Sequence, residues 1–133
     1  MRLIKSALIV SLAVSIASCG PLINRETVVY GLITNDDGEP VDSILVELYG
    51  SKGLYGGYPI CQAYSNKQGF YELETDVANE WWSASVGVDL NSIKLWRLYE
   101  SYEFTRNQTS GGTASGGVSI GLRTRYDFKL IRK

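Results

Sequence analysis

Few side chains in this chain can make or break bonds. Its 133 residues include no histidine and two cysteines, Cys19 and Cys61. Without imidazole neither a Ser-His-Asp nor a Cys-His relay can be assembled, and a zinc ion would find no nitrogen ligand. Glu72, Glu74 and Asp76 recur at every second position, and two acids facing a cleft are the minimal equipment of a glycoside hydrolase. Their alternation with Tyr71 and Leu73 reads instead as the wet face of a strand. A small carboxylate-based hydrolase is therefore the remote alternative, and the chain is read as non-catalytic. Asn35, Asp36, Asp37 and Glu39 cluster oxygens as calcium requires, but they miss the EF-hand spacing, and turn chemistry accounts for them. No metal or other resident cofactor is expected. The remaining contact chemistry is aromatic. Tyr55 and Tyr58 in a glycine-rich segment, with Trp81 and Trp96, offer ring faces that stack on sugars, in competition with ordinary core and cross-strand packing.

Cys19 has the most specific surroundings. Arg2 and Lys5 precede an apolar stretch from Ala7 to Val14, too short for a bilayer core that needs ~20 residues. Ile16-Ala17-Ser18-Cys19 then follows the order aliphatic, small, small, Cys, which resembles the lipobox of bacterial lipoproteins. The resemblance implies a helical signal peptide over residues 1–18, cleaved between Ser18 and Cys19. Cys19 would then carry a diacylglyceryl thioether and an N-acyl chain. Gly20 stands where an Asp would resemble an inner-membrane retention signal, so the outer membrane is the expected address. No acid precedes Glu26, which favours the periplasmic face over the cell surface.

Removing that leader leaves a chain the size of one domain. It carries 11 Lys and Arg against 14 Asp and Glu, a net charge of −3. Residues 20–89 hold 3 basic and 11 acidic residues, residues 90–133 hold 8 and 3, so the two halves should attract. An alternative for Arg123, Arg125, Lys129, Arg132 and Lys133 is contact with anionic lipid, but Tyr126 and Phe128 interrupt them in strand fashion. Mild acidity and an envelope address argue against nucleic acid. With Cys19 lipidated, Cys61 has no disulfide partner and is expected as a small apolar residue in a strand.

The tether spans residues 19–26 and the domain residues 27–133. A β-branched and aromatic run over 27–34, a strand-like run over 60–65 and runs mostly at period two over 41–48, 70–75, 82–88, 118–122 and 126–130 predict about seven short strands, hence a single all-β Greek-key sandwich. Four glycines among residues 50–59 predict a mobile loop, and residues 109–117 predict another. Residues 90–100 fit either a short helix capped by Asn91 or a strand.

Val29-x-Gly31-x-Ile33, Gly38-Glu39-Pro40-Val41, Val46-x-Leu48 and Asn66-Lys67-Gln68-Gly69-Phe70-Tyr71-Glu72-Leu73 together resemble the carboxypeptidase regulatory-like, or prealbumin-like, sandwich family over residues 27–77. The family's usual glycine near position 43 is replaced by Ser43. The resemblance implies a module for stabilising, spacing or binding, with no catalytic set. The expected protein is thus a lipid-anchored envelope module whose loops bind a protein partner. The alternative is binding of a glycan or peptidoglycan fragment through Tyr55, Tyr58, Trp81 and Trp96.

Overall fold

The computed structural model describes residues 24–91, 93–112 and 116–133, without the side chains of 55–56, 93–94 and 110–112. The signal peptide expected over residues 1–18, Cys19 and the segment up to residue 23 lie outside the described residues. Nine strands are present among the described residues: β1 (Glu26–Asn35), β2 (Leu45–Lys52), β3 (Tyr55–Tyr64), β4 (Phe70–Asp76), β5 (Ser83–Asp89), β6 (Tyr99–Arg106), β7 (Thr109–Gly112), β8 (Gly116–Val118) and β9 (Arg123–Arg132). One short helix, α1 (Ile93–Leu98), precedes β6. The strands form two sheets, β4-β1-β9-β6-β7 and β3-β2-β5-β8, packed as a sandwich. The β1–β9 pair is parallel and the other pairs are antiparallel.

Period-two patterning explains which faces meet. In β4, Tyr71 and Leu73 are buried while Glu72 and Glu74 are exposed. Tyr71, Phe104, Tyr126 and Phe128 line the inner face of the first sheet, with ring centroids 5.5 to 6.4 Å apart. Val46, Leu48, Ala84, Val86, Val88 and Val118 face them from the second sheet. Large rings are thus set against small aliphatic residues, the interdigitation that close packing requires. The Tyr71 hydroxyl, which has to find an acceptor when buried, donates to the Tyr126 carbonyl at 2.5 Å.

β1 and β9 approach each other closely between their two hydrogen-bonded stretches. A Cβ on Gly31 would lie 2.6 Å from the Tyr126 carbonyl carbon and 2.9 Å from Asp127 Oδ1, and nearer still to the Tyr126 carbonyl oxygen. In this interval the Asp127 carboxylate accepts the Leu32 N–H at 2.8 Å. The glycine that the motif places in this strand is thus required by the neighbouring backbone.

Two turns at one end of the sandwich use the same device. Asn35 Oδ1 accepts the N–H groups of Asp37 and Glu39, and Asn66 Oδ1 accepts those of Gln68 and Phe70, all at 2.9 to 3.0 Å. Asparagine at the first turn position mimics a backbone acceptor, which makes Asn-x-x-Gly a self-contained turn signal.

Several expectations change. Residues 50–59 are not a mobile loop. β2 continues through Gly50 to Lys52 and is laddered to β3 on one side and β5 on the other. Pairing on both sides satisfies a backbone that the glycines alone would leave free. Pro59 fits because β3 is an edge strand and the β2–β3 register shifts at Leu48/Tyr49, opposite it. The second apolar run begins as a strand only at Leu45, because Ser43 adopts φ 63° and turns the chain before it. Trp82 is exposed, not part of the inward row of β5. The run from Val118 to Leu122 is strand only to Val118 and then turns. Residues 109–112 form β7 and pair with β6, residues 116–118 form β8 and pair with β5, and residues 90–100 contain both helix and strand.

Candidate functional site

The exposed apolar side chains fall mostly at the two ends of the sandwich. Strand directions place them. β1 begins beside Asp76 and Arg123 and ends beside Leu130, so its Glu26 end and its Asn35 end are opposite ends of the fold.

At the Glu26 end, Arg25 is the organising residue. Its guanidinium donates to the carbonyls of Val77 at 2.7 Å, Ala78 at 3.2 Å and Trp81 at 2.7 Å, which pins the 77–81 segment against the first strand. Five fixed donors suit this fork to several carbonyls at once. Trp81 then lies flat on Gly50, where a Cβ would come 2.5 Å from its Cδ2. Its ring sits 5.5 Å from that of Tyr58, and the Lys52 ammonium is 5.1 Å from its centroid. Lys52 also pairs with Glu80 at 2.9 Å. Trp81 is therefore partly buried and packed in place by Gly50, Tyr58 and Lys52.

Around this nucleus stand side chains without comparable cover. Trp82 is 75% exposed, and its N–H donates to the Ser51 carbonyl at 2.9 Å. Leu54, at the tip of the β2–β3 hairpin, is fully exposed, and Leu122 is 61% exposed. The Leu122 carbonyl accepts the Val28 N–H at 3.1 Å, which sets it beside the start of β1.

Trp96 is at the other end. Its ring lies 4.1 Å below the Lys133 ammonium, and the Lys133 N–H donates to the Leu98 carbonyl, beyond the Arg132 end of β9. Trp96 is 63% exposed and Leu98 is half-exposed. The four aromatic residues expected to form one patch therefore do not. Tyr58 and Trp81 meet, Trp96 is at the opposite end, and the Tyr55 side chain lies outside the described residues. The chain folds back on itself between β5 and β6, a reversal that periodicity alone does not reveal.

The calcium candidates have another occupant. Asp36 lies 2.9 Å and Glu39 3.8 Å from the Arg132 guanidinium, which also bonds Asp37. The basic C-terminal strand is paired elsewhere too, Arg123 with Glu72 at 3.0 Å, Arg125 with Asp127 at 2.9 Å and Lys129 with Glu103 at 3.6 Å. The expected attraction between the halves is expressed in the pairs of Arg123 with Glu72 and of Arg132 with Asp36 and Glu39, whereas Arg125 and Lys129 pair within the second half. Among the carboxylates considered for hydrolysis, Glu72 is held by Arg123, while Glu74 is hydrogen-bonded to Glu26, which raises its pKa above the usual carboxylate value. Glu74 and Asp76 line an open depression of about 480 Å³ with Asn24, Arg25, Glu26 and Thr75. Cys61 is half-buried in β3, its Sγ 3.9 Å from the Glu74 carbonyl.

One surface feature escaped the sequence reading. Tyr49, Ser51, Gly57, Ser85, Gly87 and Val88 of the second sheet, with Tyr102 of β6 in the first, line an open groove of about 520 Å³. Ser85 and Gly87 make its floor shallow, and burial followed by the Glu47 carboxylate pushes the Tyr49 hydroxyl pKa up to about 12. The signal available was the run of small residues alternating with Ala84, Val86 and Val88, which marks a strand face without bulk.

The chain matches no protein-family model and no curated protein. Solved structures with a related architecture include the 3-chlorocatechol 1,2-dioxygenase from Rhodococcus opacus. It is 12% identical, with a TM-score of 0.46 over 83% of this chain and 61% of its own. The chlorocatechol 1,2-dioxygenase from Pseudomonas putida gives 15%, 0.45, 81% and 61%. The major plantain pollen allergen Pla l 1 gives 13%, 0.49, 81% and 94%. This chain thus spans about three fifths of either dioxygenase's length.

Proposed function

We propose that this protein is a lipoprotein held in the outer membrane, on its periplasmic face, by acyl chains on Cys19. Its non-catalytic sandwich acts as a rigid spacer that presents a protein-binding end away from the bilayer. One observation carries the reading. The described chain enters at Asn24, at the Trp81 end, whereas Trp96 and Leu98 are exposed at the end about 30 Å away along the ten residues of β1. A lipid on Cys19 leaves that far end free. Kinship with the carboxypeptidase regulatory-like sandwiches is supported by the tasks its motif residues perform here, Gly31 at the close approach and Asn66 in the turn.

The test has two parts. Metabolic labelling with a fatty-acid analogue should mark the protein and fail for Cys19→Ala. A photo-crosslinker at position 96 in intact cells should capture an envelope protein, while one at position 122 should not. Equal labelling of Cys19→Ala refutes the anchor, and equal capture from both positions refutes the assignment of the binding end.

A second reading, glycan binding, is favoured by the Tyr49–Tyr102 groove more than by the residues first expected, since Trp81 is partly buried and Trp96 lies at the opposite end. Tyr49→Ala should abolish retention on a peptidoglycan column if that reading holds.

A further inference from the structure

We propose that the end of the sandwich bearing Leu54, Trp82 and Leu122 docks onto the surface of the bilayer that carries the anchor, so that the domain stands upright with its long axis across the membrane plane. The inference rests on the proposed lipidation of Cys19.

Chain length supplies the first argument. Asn24 follows Cys19 by five residues, which span at most ~18 Å however they are arranged. The acylated cysteine must sit at the boundary of the hydrocarbon, beneath an interfacial layer roughly 5–7 Å thick on each side. The Asn24 end is therefore confined to the immediate neighbourhood of the lipid headgroups. A chain entering at the Asn35 end would have left these residues far from the bilayer.

The side chains at this end supply the second. Leu54 lies at the hairpin tip, the Trp82 ring lies against Gly53 of that tip, and Leu122 is beside the first strand, all three exposed. The Arg25 bond to the Trp81 carbonyl fixes the hairpin side to the point of chain entry. Tryptophan and leucine at a rim are suited to the interface, where an amphipathic ring has one end in apolar and one in wet surroundings. The charges nearby are mixed and partly neutralised, Lys52 by Glu80, while Glu26 and Glu74 face each other. Docking is accordingly apolar and does not depend on anionic lipid. The anchor raises the local concentration of these few side chains at the surface, so a contact too weak to recruit a soluble protein suffices to orient a tethered one.

The experiment uses the full lipidated protein reconstituted in zwitterionic vesicles that contain lipid brominated near the headgroup. One variant, Trp81→Phe with Trp96→Phe, reports on Trp82, and another, Trp81→Phe with Trp82→Phe, reports on Trp96. Trp82 emission should fall roughly two-fold and shift to the blue, with Trp96 unchanged. Separately, reaction with a membrane-impermeant amine reagent should spare Lys52 relative to Lys67 in vesicles but not in detergent. Leu54→Ser with Trp82→Ser and Leu122→Ser should restore the reaction of Lys52. Absence of fatty-acid label on Cys19 defeats the anchoring premise. A labelled protein whose Trp82 is no more quenched than Trp96 overturns the docking. Lys52 protection that appears in detergent and grows with protein concentration assigns the surface to a second copy and also overturns it.

Discussion

Gly31→Ala tests the packing that aligns the two ends of the sandwich. The added methyl would stand 2.6 Å from the Tyr126 carbonyl carbon, well inside van der Waals contact, so β9 must move by an ångström or more relative to β1. Neither strand is free to do so. β9 lies between β1 and β6, and its Tyr126, Phe128 and Leu130 are buried in the core. Overpacking of this kind costs about 1–3 kcal/mol. The displaced carbonyl is also the acceptor for the Tyr71 hydroxyl, and weakening a buried hydrogen bond adds about 1 kcal/mol. The expected destabilisation is about 2–4 kcal/mol, a drop in Tm of roughly 10–20 °C for a domain of this size. Urea unfolding followed by tryptophan fluorescence measures it. Tyr71→Phe removes only the hydroxyl, and in combination with Gly31→Ala it should cost less than the sum, because both changes act on one carbonyl. A Gly31→Ala protein within 0.5 kcal/mol of wild type, a bound set by the ordinary scatter of surface substitutions, would refute this account of the β1–β9 approach.

Other expectations follow from local geometry. Ser43→Gly should stabilise the domain by about 0.5 kcal/mol, since φ 63° strains a side chain there by more than glycine's extra freedom costs in the unfolded chain; a lower urea midpoint would contradict it. Glu74 shares a hydrogen bond with Glu26, and its raised pKa means that the contact supports the fold at acid pH and is lost as pH rises through that value. Glu74→Gln should therefore raise Tm at neutral pH and leave it unchanged in strong acid, and a neutral-pH decrease would count against the pairing. Burial raises the pKa of Tyr71, and burial with Glu47 pushes Tyr49 to about 12, so both stay neutral in the fold while unfolded tyrosine ionises near 10. Their contribution should be constant from neutral pH to about pH 10 and fall above it, which urea midpoints across that range will show. Millimolar calcium should not shift the wild-type Tm, because Arg132 already occupies the Asp36, Asp37 and Glu39 cluster; a clear upward shift would show that the ion displaces it.

The sequence by itself determined the strand faces and the turns. Alternation of Tyr71 and Leu73 with Glu72 and Glu74 needs only the two-residue period of a strand, and Asn35 and Asn66 build their turns from their own side chains. It also determined what was chemically absent, since no arrangement supplies the imidazole that the composition lacks. The tertiary structure decided everything that depends on a second strand. Glycines at 50, 53, 56 and 57 read as a loop until β3 and β5 are known to ladder β2, and Gly31 reads as a weak strand residue until the Tyr126 carbonyl is placed beside it. The aromatic residues were visible one by one, yet only the fold sets Tyr58 against Trp81 and sends Trp96 to the far end. Local signals extend over a few residues through short-range sterics and hydrogen bonds, whereas the separation of the two ends arises from pairings between residues up to about a hundred positions apart, such as Val28 with Arg123.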